Sequence, residues 1–200
     1  MRPDYFKVKY FDTFDQLLEE FKTHGDKIAL SWFDDDKNKI AKTYAKFVSD
    51  IIGLRNKLIT LGIARKHFAI LGENSYEWIV AFYAITSAGG VAVLVDTEQT
   101  DDTVRELIVR SDAEYVFASE YLSAICQPLQ RSKKIQEVFL LVNEEPGKRG
   151  DTITTMIAEG NAMREQHPQP IQKDQLAAIA CTSGTTSKQK LVMLSQYNML

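Results

Sequence analysis

From Trp78 to Val95 the chain runs eighteen residues without a charged side chain. That is the lower limit for a helix crossing a bilayer, which needs about 18–20 apolar residues. Thr86, Ser87, Gly89 and Gly90 interrupt the run, however, and after the glycines it changes from a helical to a β-branched pattern. A helix feeding a strand accounts for these residues better than one membrane span. Val91 to Val95 is almost entirely apolar or β-branched, as a strand covered on both faces should be. Such a strand demands helices above and below it.

The surrounding chain repeats the alternation. Phe14, Leu17, Leu18 and Phe21 fall at helical spacing after a capping Thr13, and Gly25 closes that helix. Lys27 to Phe33 and a segment ending near Lys42 read as a hairpin, with Asp34-Asp35-Asp36 at its polar tip rather than in a cation loop, whose spaced ligands and glycine are absent. Thr43 can cap a long helix containing Phe47, Ile51, Leu54, Leu58 and Leu61, ended by Gly62 in a left-handed conformation. Strands follow at 67–71, 91–95, 115–118 and 138–142. Helices lie between them at 74–88, 102–110 and 120–129, and another spans 152–163. Asn74 with Glu77 is a capping-box pattern for the first of these. Strands alternating with helices imply a mostly parallel α/β sheet with right-handed crossovers and helices on both faces. Residues 164–173, polar and holding two prolines, read as a linker or surface loop before the last strands.

Composition narrows the function. A 44% apolar and 26% charged chain is not disordered, and a net charge of -3 with no Lys/Arg run longer than two excludes general nucleic-acid affinity. Cys126 and Cys181 lie far apart without CxxC or histidine at ligand spacing, so they read as buried thiols of a reducing compartment. The first six residues lack the apolar core of a secretory signal, and the expected location is cytoplasmic. His24, His67 and His167 have no paired acid or metal partner in the sequence, and Tyr76 and Trp78 read as packing residues. No metal site and no nucleophile–base pair is expected.

One stretch stands apart. Leu176 to Cys181 leads into Thr182-Ser183-Gly184-Thr185-Thr186-Ser187-Lys188-Gln189-Lys190, and Leu191 to Leu194 leaves it. The loop offers hydroxyls, backbone N–H groups and ammonium ions to one small volume, which suits a polyphosphate. It is not the common phosphate loop, because the second glycine is missing and a strand, not a helix, follows. The residues alone leave a second reading open, a polar hairpin loop whose hydroxyls satisfy its own backbone. Lys188 reads as a solvated charge.

Thr182-Ser183-Gly184-Thr185-Thr186 with Lys190, then Val192-Met193-Leu194-Ser195 and Asn198, resembles the phosphate-binding signature of the adenylate-forming (AMP-binding) superfamily, which includes acyl-CoA synthetases and peptide-synthetase adenylation domains. Thr43-Tyr44, Leu61-Gly62, Gly72-Glu73-Asn74-Ser75 with Glu77-Trp78, Ala88-Gly89-Gly90 before a strand ending in Asp96, and Ser111-Asp112-Ala113 extend the likeness, most of all to bacterial long-chain fatty acid–CoA ligases. The chain departs from the signature at Ser187 and Leu191, where glycine is usual. It also departs at Gln189 and Leu94 (proline), Gln196 (histidine) and Cys181 (tyrosine). At Ser187 and Leu191 a left-handed backbone would cost ~1–3 kcal/mol per site.

The resemblance implies that residues 1–200 are the N-terminal part of an acyl-CoA synthetase-like large domain. The implied reaction joins a carboxylate to ATP, giving acyl-AMP and pyrophosphate, and then passes the acyl group to CoA. ATP, Mg²⁺ and CoA are the implied cofactors, and a fatty acid the implied substrate. Thr182, Ser183, Gly184, Thr185, Thr186 and Lys190 would hold the β- and γ-phosphates. Adenine, ribose and catalytic contacts of the family lie downstream of this signature, so no catalytic residue is expected here and residues 1–200 alone should be inactive. An amino-acid or aryl-acid adenylation domain serving a carrier protein, and a non-catalytic member with a degenerate phosphate loop, are the alternatives.

Overall fold

Every helix starts behind a hydroxyl. Thr13, Thr43, Ser75, Thr100, Ser119, Thr152 and Ser195 are the N-caps, and all but Ser119 accept a hydrogen bond from a backbone N–H of the first turn. Such a cap satisfies one of the donors that a helix start leaves open. The computed structural model describes residues 9–142, 152–182 and 189–200. In chain order these form α1 (Phe14–Lys22), β1 (Ile28–Phe33), β2 (Lys39–Thr43), α2 (Tyr44–Thr60), β3 (His67–Leu71), α3 (Tyr76–Ser87), β4 (Val91–Leu94), α4 (Asp101–Arg110), β5 (Tyr115–Ala118), α5 (Glu120–Arg131), β6 (Glu137–Leu140), α6 (Ile153–Asn161), β7 (Leu176–Thr182), β8 (Lys190–Ser195) and the short α7 (Gln196–Met199).

Strands β1 and β2 pair as a separate antiparallel hairpin, whose tip is closed by the Asp34 carboxylate accepting from the Asn38 N–H. The main sheet has the order β6-β5-β3-β4-β7-β8. Its first five strands are parallel, and β8 runs antiparallel to β7 along the edge. This is the mostly parallel α/β sheet expected from the alternation.

Period-two side-chain placement divides the core. Phe68, Ile70, Ala92, Tyr115, Phe117 and Phe139 face the layer of α1, α2, α3 and α6. Ala69, Leu71, Val93, Val116 and Ile179 face the layer of α4 and α5. The uncharged run from Trp78 to Val95 is thus α3 on one face feeding the central strand β4. Among the described residues no helix is long and apolar enough to cross a membrane.

Three buried contacts lock the first layer. Helices α2 and α6 meet at Gly53 and Gly160, and a Cβ on Gly160 would lie 1.8 Å from the Gly53 carbonyl oxygen. The Asp50 carboxylate, almost wholly buried, accepts from the Tyr76 hydroxyl at 2.6 Å and the Lys46 ammonium at 2.7 Å. Arg55, also buried, pairs with Asp15 at 2.6 Å and Glu165 at 3.2 Å, pinning the polar 164–173 segment to α1 and α2. That segment carries no helix or strand.

Local expectations were met with small shifts at element ends, such as α6 at Ile153–Asn161 and β4 at Val91–Leu94. Gly62 is left-handed, with φ +72. The N-cap of α3 is Ser75 and not Asn74, because it is the Ser75 hydroxyl that accepts from the Trp78 N–H. Asn74 then stands one residue outside the helix. The sixth strand is also displaced, to Glu137–Leu140.

Candidate functional site

The hydroxyl-rich loop is carried by the β7–β8 hairpin, in which Thr182 and Lys190 are cross-strand partners. Ser183, Gly184, Thr185 and Thr186, together with Ser187 and Lys188, lie outside the described residues. Directly opposed residues of an antiparallel pair project to the same side of the sheet. Both Thr182 and Lys190 are exposed, and among the described residues no carboxylate pairs with the Lys190 ammonium.

Topology places this hairpin over a cleft. After β4 the chain turns back over β3 to reach β5, whereas after β7 it turns outward to β8. The connections therefore diverge between β4 and β7, and a parallel sheet opens a crevice at the carboxyl ends of such strands. A cleft of about 540 Å³ occupies this place, lined by Gly72, Asn74, Trp78, Asp96, Glu98 and Cys181. Gly72 is packed tightly behind the cleft, since a Cβ there would sit 2.6 Å from a Leu141 methyl and 2.9 Å from the Ser119 hydroxyl.

The groups around the cleft are tuned by their neighbours. The Asp96 carboxylate accepts from the Glu98 N–H at 2.9 Å and the Gln99 amide at 2.8 Å, and these bonds hold its pKa below the usual range. Burial pushes the Cys181 thiol up, and the nearby Arg110 guanidinium partly opposes that push. Cys181 is half-buried, unlike the fully buried Cys126. Trp78 packs flat on Phe82 at 5.9 Å and lines the cleft with its remaining surface.

Leu191 does not carry the strain that a lost glycine suggested. It lies in β8 opposite Cys181, is absent from the left-handed non-glycine residues, and packs against the α4–α5 side of the core. An extended strand residue needs no glycine. Gln196, where the signature usually has histidine, is fully buried. Its amide accepts from the Phe14 N–H at 2.8 Å and donates to the Thr86 carbonyl at 3.1 Å, anchoring the root of the hairpin to α1 and α3.

A second cavity, of about 380 Å³, lies between α2, α3 and α6 and is lined in part by Lys42, Lys46, Asp50 and Tyr76. Its buried carboxylate is already satisfied by Lys46 and Tyr76, so it reads as part of the packing. The sequence did not mark Asp96 or Glu98 as lining a cleft with Cys181, or Arg110 as a partner of Gln189. Only the position of Asp96 at the end of a Val-rich strand hinted at the cleft.

Of the expected phosphate ligands the structure describes Thr182 and Lys190, a hydroxyl and an ammonium, a donor set whose chemistry suits an anionic phosphate. Among the described residues no three His, Cys, Asp or Glu side chains come together as metal ligands. Mg²⁺ is commonly held through substrate phosphates with only one or two carboxylates.

Comparison with known proteins agrees with this geometry. A chloroplast long-chain-fatty-acid–[acyl-carrier-protein] ligase of Arabidopsis thaliana is 24% identical over 198 residues, covering 88% of this chain and 27% of that protein. The crotonobetaine/carnitine–CoA ligase of Proteus mirabilis is 25% identical over 189 residues, covering 92% of this chain and 36% of the relative. The chain thus spans about a third of the length of these relatives. Among solved structures, the adenylation domain of a carboxylate reductase from Mycobacterium chelonae superposes with a TM-score of 0.78 at 18% identity, over 97% of this chain and 35% of that one, and shares the fold. The model of the family described as AMP-binding enzyme matches residues 17–200, and the chain belongs to that family.

Proposed function

We propose that this chain carries the pyrophosphate-holding half of the ATP site of an AMP-forming acid–thiol ligase of the long-chain fatty acid–CoA type. The observation that carries the reading is the pairing of Thr182 with Lys190 at the mouth of the hairpin loop, beside the cleft at the carboxyl edge of the sheet. Family membership and the ligase relatives support it.

In this reading a carboxylate oxygen attacks the α-phosphorus of ATP and the bond to the β-phosphate oxygen breaks. The acyl group leaves as acyl-AMP, whose AMP a thiol then displaces. CoA supplies that thiol. A carboxylate is a poor electrophile, and AMP is a far better leaving group than hydroxide. The protein's task is to position the phosphates and neutralise charge that grows on the departing pyrophosphate. Thr182 donates its hydroxyl hydrogen to a phosphate oxygen, and Ser183, Thr185 and Thr186 act likewise, with Gly184 admitting close approach of the backbone. Lys190 places a point charge on the leaving group. A Mg²⁺ ion carried by the nucleotide would share that charge, beside Lys190.

The test is calorimetric titration of Mg·ATP and Mg·pyrophosphate into the wild-type chain and its Lys190→Ala variant. Binding roughly 10- to 100-fold weaker in the variant is expected, and equal affinity for both proteins would overturn the reading. Because the chain spans a third of its relatives, residues 1–200 alone should show no fatty-acid-dependent ATP–pyrophosphate exchange. A second reading, favoured by the Arabidopsis relative, replaces CoA with a carrier-protein thiol. Acyl transfer by the whole ligase to holo-carrier protein but not to CoA would select it.

A further inference from the structure

Lys190 can serve a phosphate only if its backbone is aimed, and the residue before it is held from outside the hairpin. Arg110, the last residue of α4, donates from Nη2 to the Gln189 carbonyl oxygen at 3.1 Å, across 79 residues of sequence. Its Nη1 lies 3.4 Å from Glu106 Oε1, one turn back on the same helix. Helix α4 is itself fixed by Val104, Leu107 and Ile108, all buried against the sheet. The helix that carries the guanidinium is therefore anchored to the sheet.

The held carbonyl belongs to the peptide that joins Gln189 to Lys190. Fixing its direction restricts ψ of Gln189 and φ of Lys190, the two dihedrals that aim the Lys190 side chain. Among the described residues the Gln189 Oε1 is buried without a hydrogen-bond partner, so it supplies no such restraint. The restraint comes from outside, through a hydrogen bond from a charged donor.

We propose that Arg110 is a positioning residue of the phosphate site, holding the Gln189 carbonyl so that Lys190 presents its ammonium toward the leaving pyrophosphate. The proposal rests on the reading of Lys190 as a phosphate ligand. Arg110 touches no substrate in it.

The experiment compares the wild-type chain with Arg110→Ala, Lys190→Ala and the double variant, by Mg·pyrophosphate titration and thermal unfolding. Arg110→Ala should weaken binding about tenfold, which corresponds to about 1.4 kcal/mol, with little change in the unfolding midpoint. In the double variant the loss should be no greater than in Lys190→Ala alone, because Arg110 acts through Lys190. A long-range charge effect or a general loss of packing would add to the Lys190→Ala loss. Unchanged affinity in Arg110→Ala would overturn the proposal, as would a further loss in the double variant. Limited trypsin digestion gives a readout without ligand: cleavage after Lys190 should accelerate in Arg110→Ala, and an unchanged rate would overturn the proposal. Absence of Mg·pyrophosphate binding by the wild-type chain would overturn the functional reading itself and Arg110's part in it. Wild-type binding that needs Lys190 but not Arg110 would overturn this inference alone.

Discussion

Thr182 and Lys190 face each other across the last paired rung of the β7–β8 hairpin, so a hydroxyl and an ammonium leave the same side of the sheet at the mouth of one loop. A hydrogen bond to a charged group is worth roughly 1.5–3 kcal/mol. Lys190→Ala should therefore weaken Mg·pyrophosphate binding by roughly 10- to 100-fold, since each 1.4 kcal/mol is a factor of ten. Thr182→Val, which keeps the shape and removes the hydroxyl, should cost less. Titration of both variants checks the order, and an unaffected Lys190→Ala would remove the basis of the site.

The contact between Gly53 and Gly160 leaves no room for a methyl group. A Cβ on Gly160 would sit 1.8 Å from backbone oxygen, so α2 and α6 must separate to accept it. Overpacking of this kind costs about 1–3 kcal/mol, sometimes more. For a chain of this size Gly160→Ala should lower the unfolding midpoint by roughly 2–4 °C per kcal/mol. A midpoint equal to wild type in a thermal scan would show that these helices are not in contact.

Tyr76 links stability to alkaline pH. Burial first, and then the hydrogen bond and charge of Asp50, raise its pKa above that of a free tyrosine. A folded-state pKa above the unfolded one contributes stability that is complete below the unfolded value of about 10 and is lost as pH rises beyond it. Tyr76→Phe should make the fall in unfolding free energy above pH 10 shallower, though Tyr83 and Tyr115, also raised, keep part of it. At neutral pH the same variant leaves Asp50 one hydrogen bond short and should cost about 1–3 kcal/mol. Urea unfolding at pH 7.5 and at pH 11 measures both effects.

The two cysteines should separate in reactivity. Cys126 is fully buried, with its thiol pushed up to about 11, whereas Cys181 is half-buried on the cleft and raised less strongly. Thiolate is the reacting form, so both should react slowly at neutral pH and faster as pH rises. Iodoacetamide followed by peptide mapping should find Cys181 modified well before Cys126. Mg·ATP bound beside the cleft should slow that modification, and modification of Cys126 first would contradict the described burial.

Local order was legible because its causes are local. Thr43 and Thr13 precede apolar residues at helical spacing and cap those helices, and Gly62 adopts the left-handed backbone that its place after Leu61 called for. Val91 to Leu94 became the central strand because a β-branched run has one way to bury both its faces. The cap of α3 was misplaced by one residue because Asn74 and Ser75 are both competent caps, and only the geometry of the turn chooses between them. The concern over Leu191 dissolved for a similar reason: whether a missing glycine matters depends on φ, and the strand is extended there.

By itself the sequence determined the α/β alternation, the hairpin loop with its hydroxyls and Lys190, and the family to which they point. Those properties follow from side-chain periodicity, capping and turn chemistry within a few residues. Tertiary structure alone decided which strands are neighbours, and so that Gly72, Asp96 and Cys181 meet in one cleft at the carboxyl ends of the strands. It also decided that Arg110 holds Gln189 from 79 residues away and that Gln196 reaches Phe14 across 182. A guanidinium or an amide near the surface has many possible partners along a chain. Only the packing of helix on sheet brings one of them within hydrogen-bond distance.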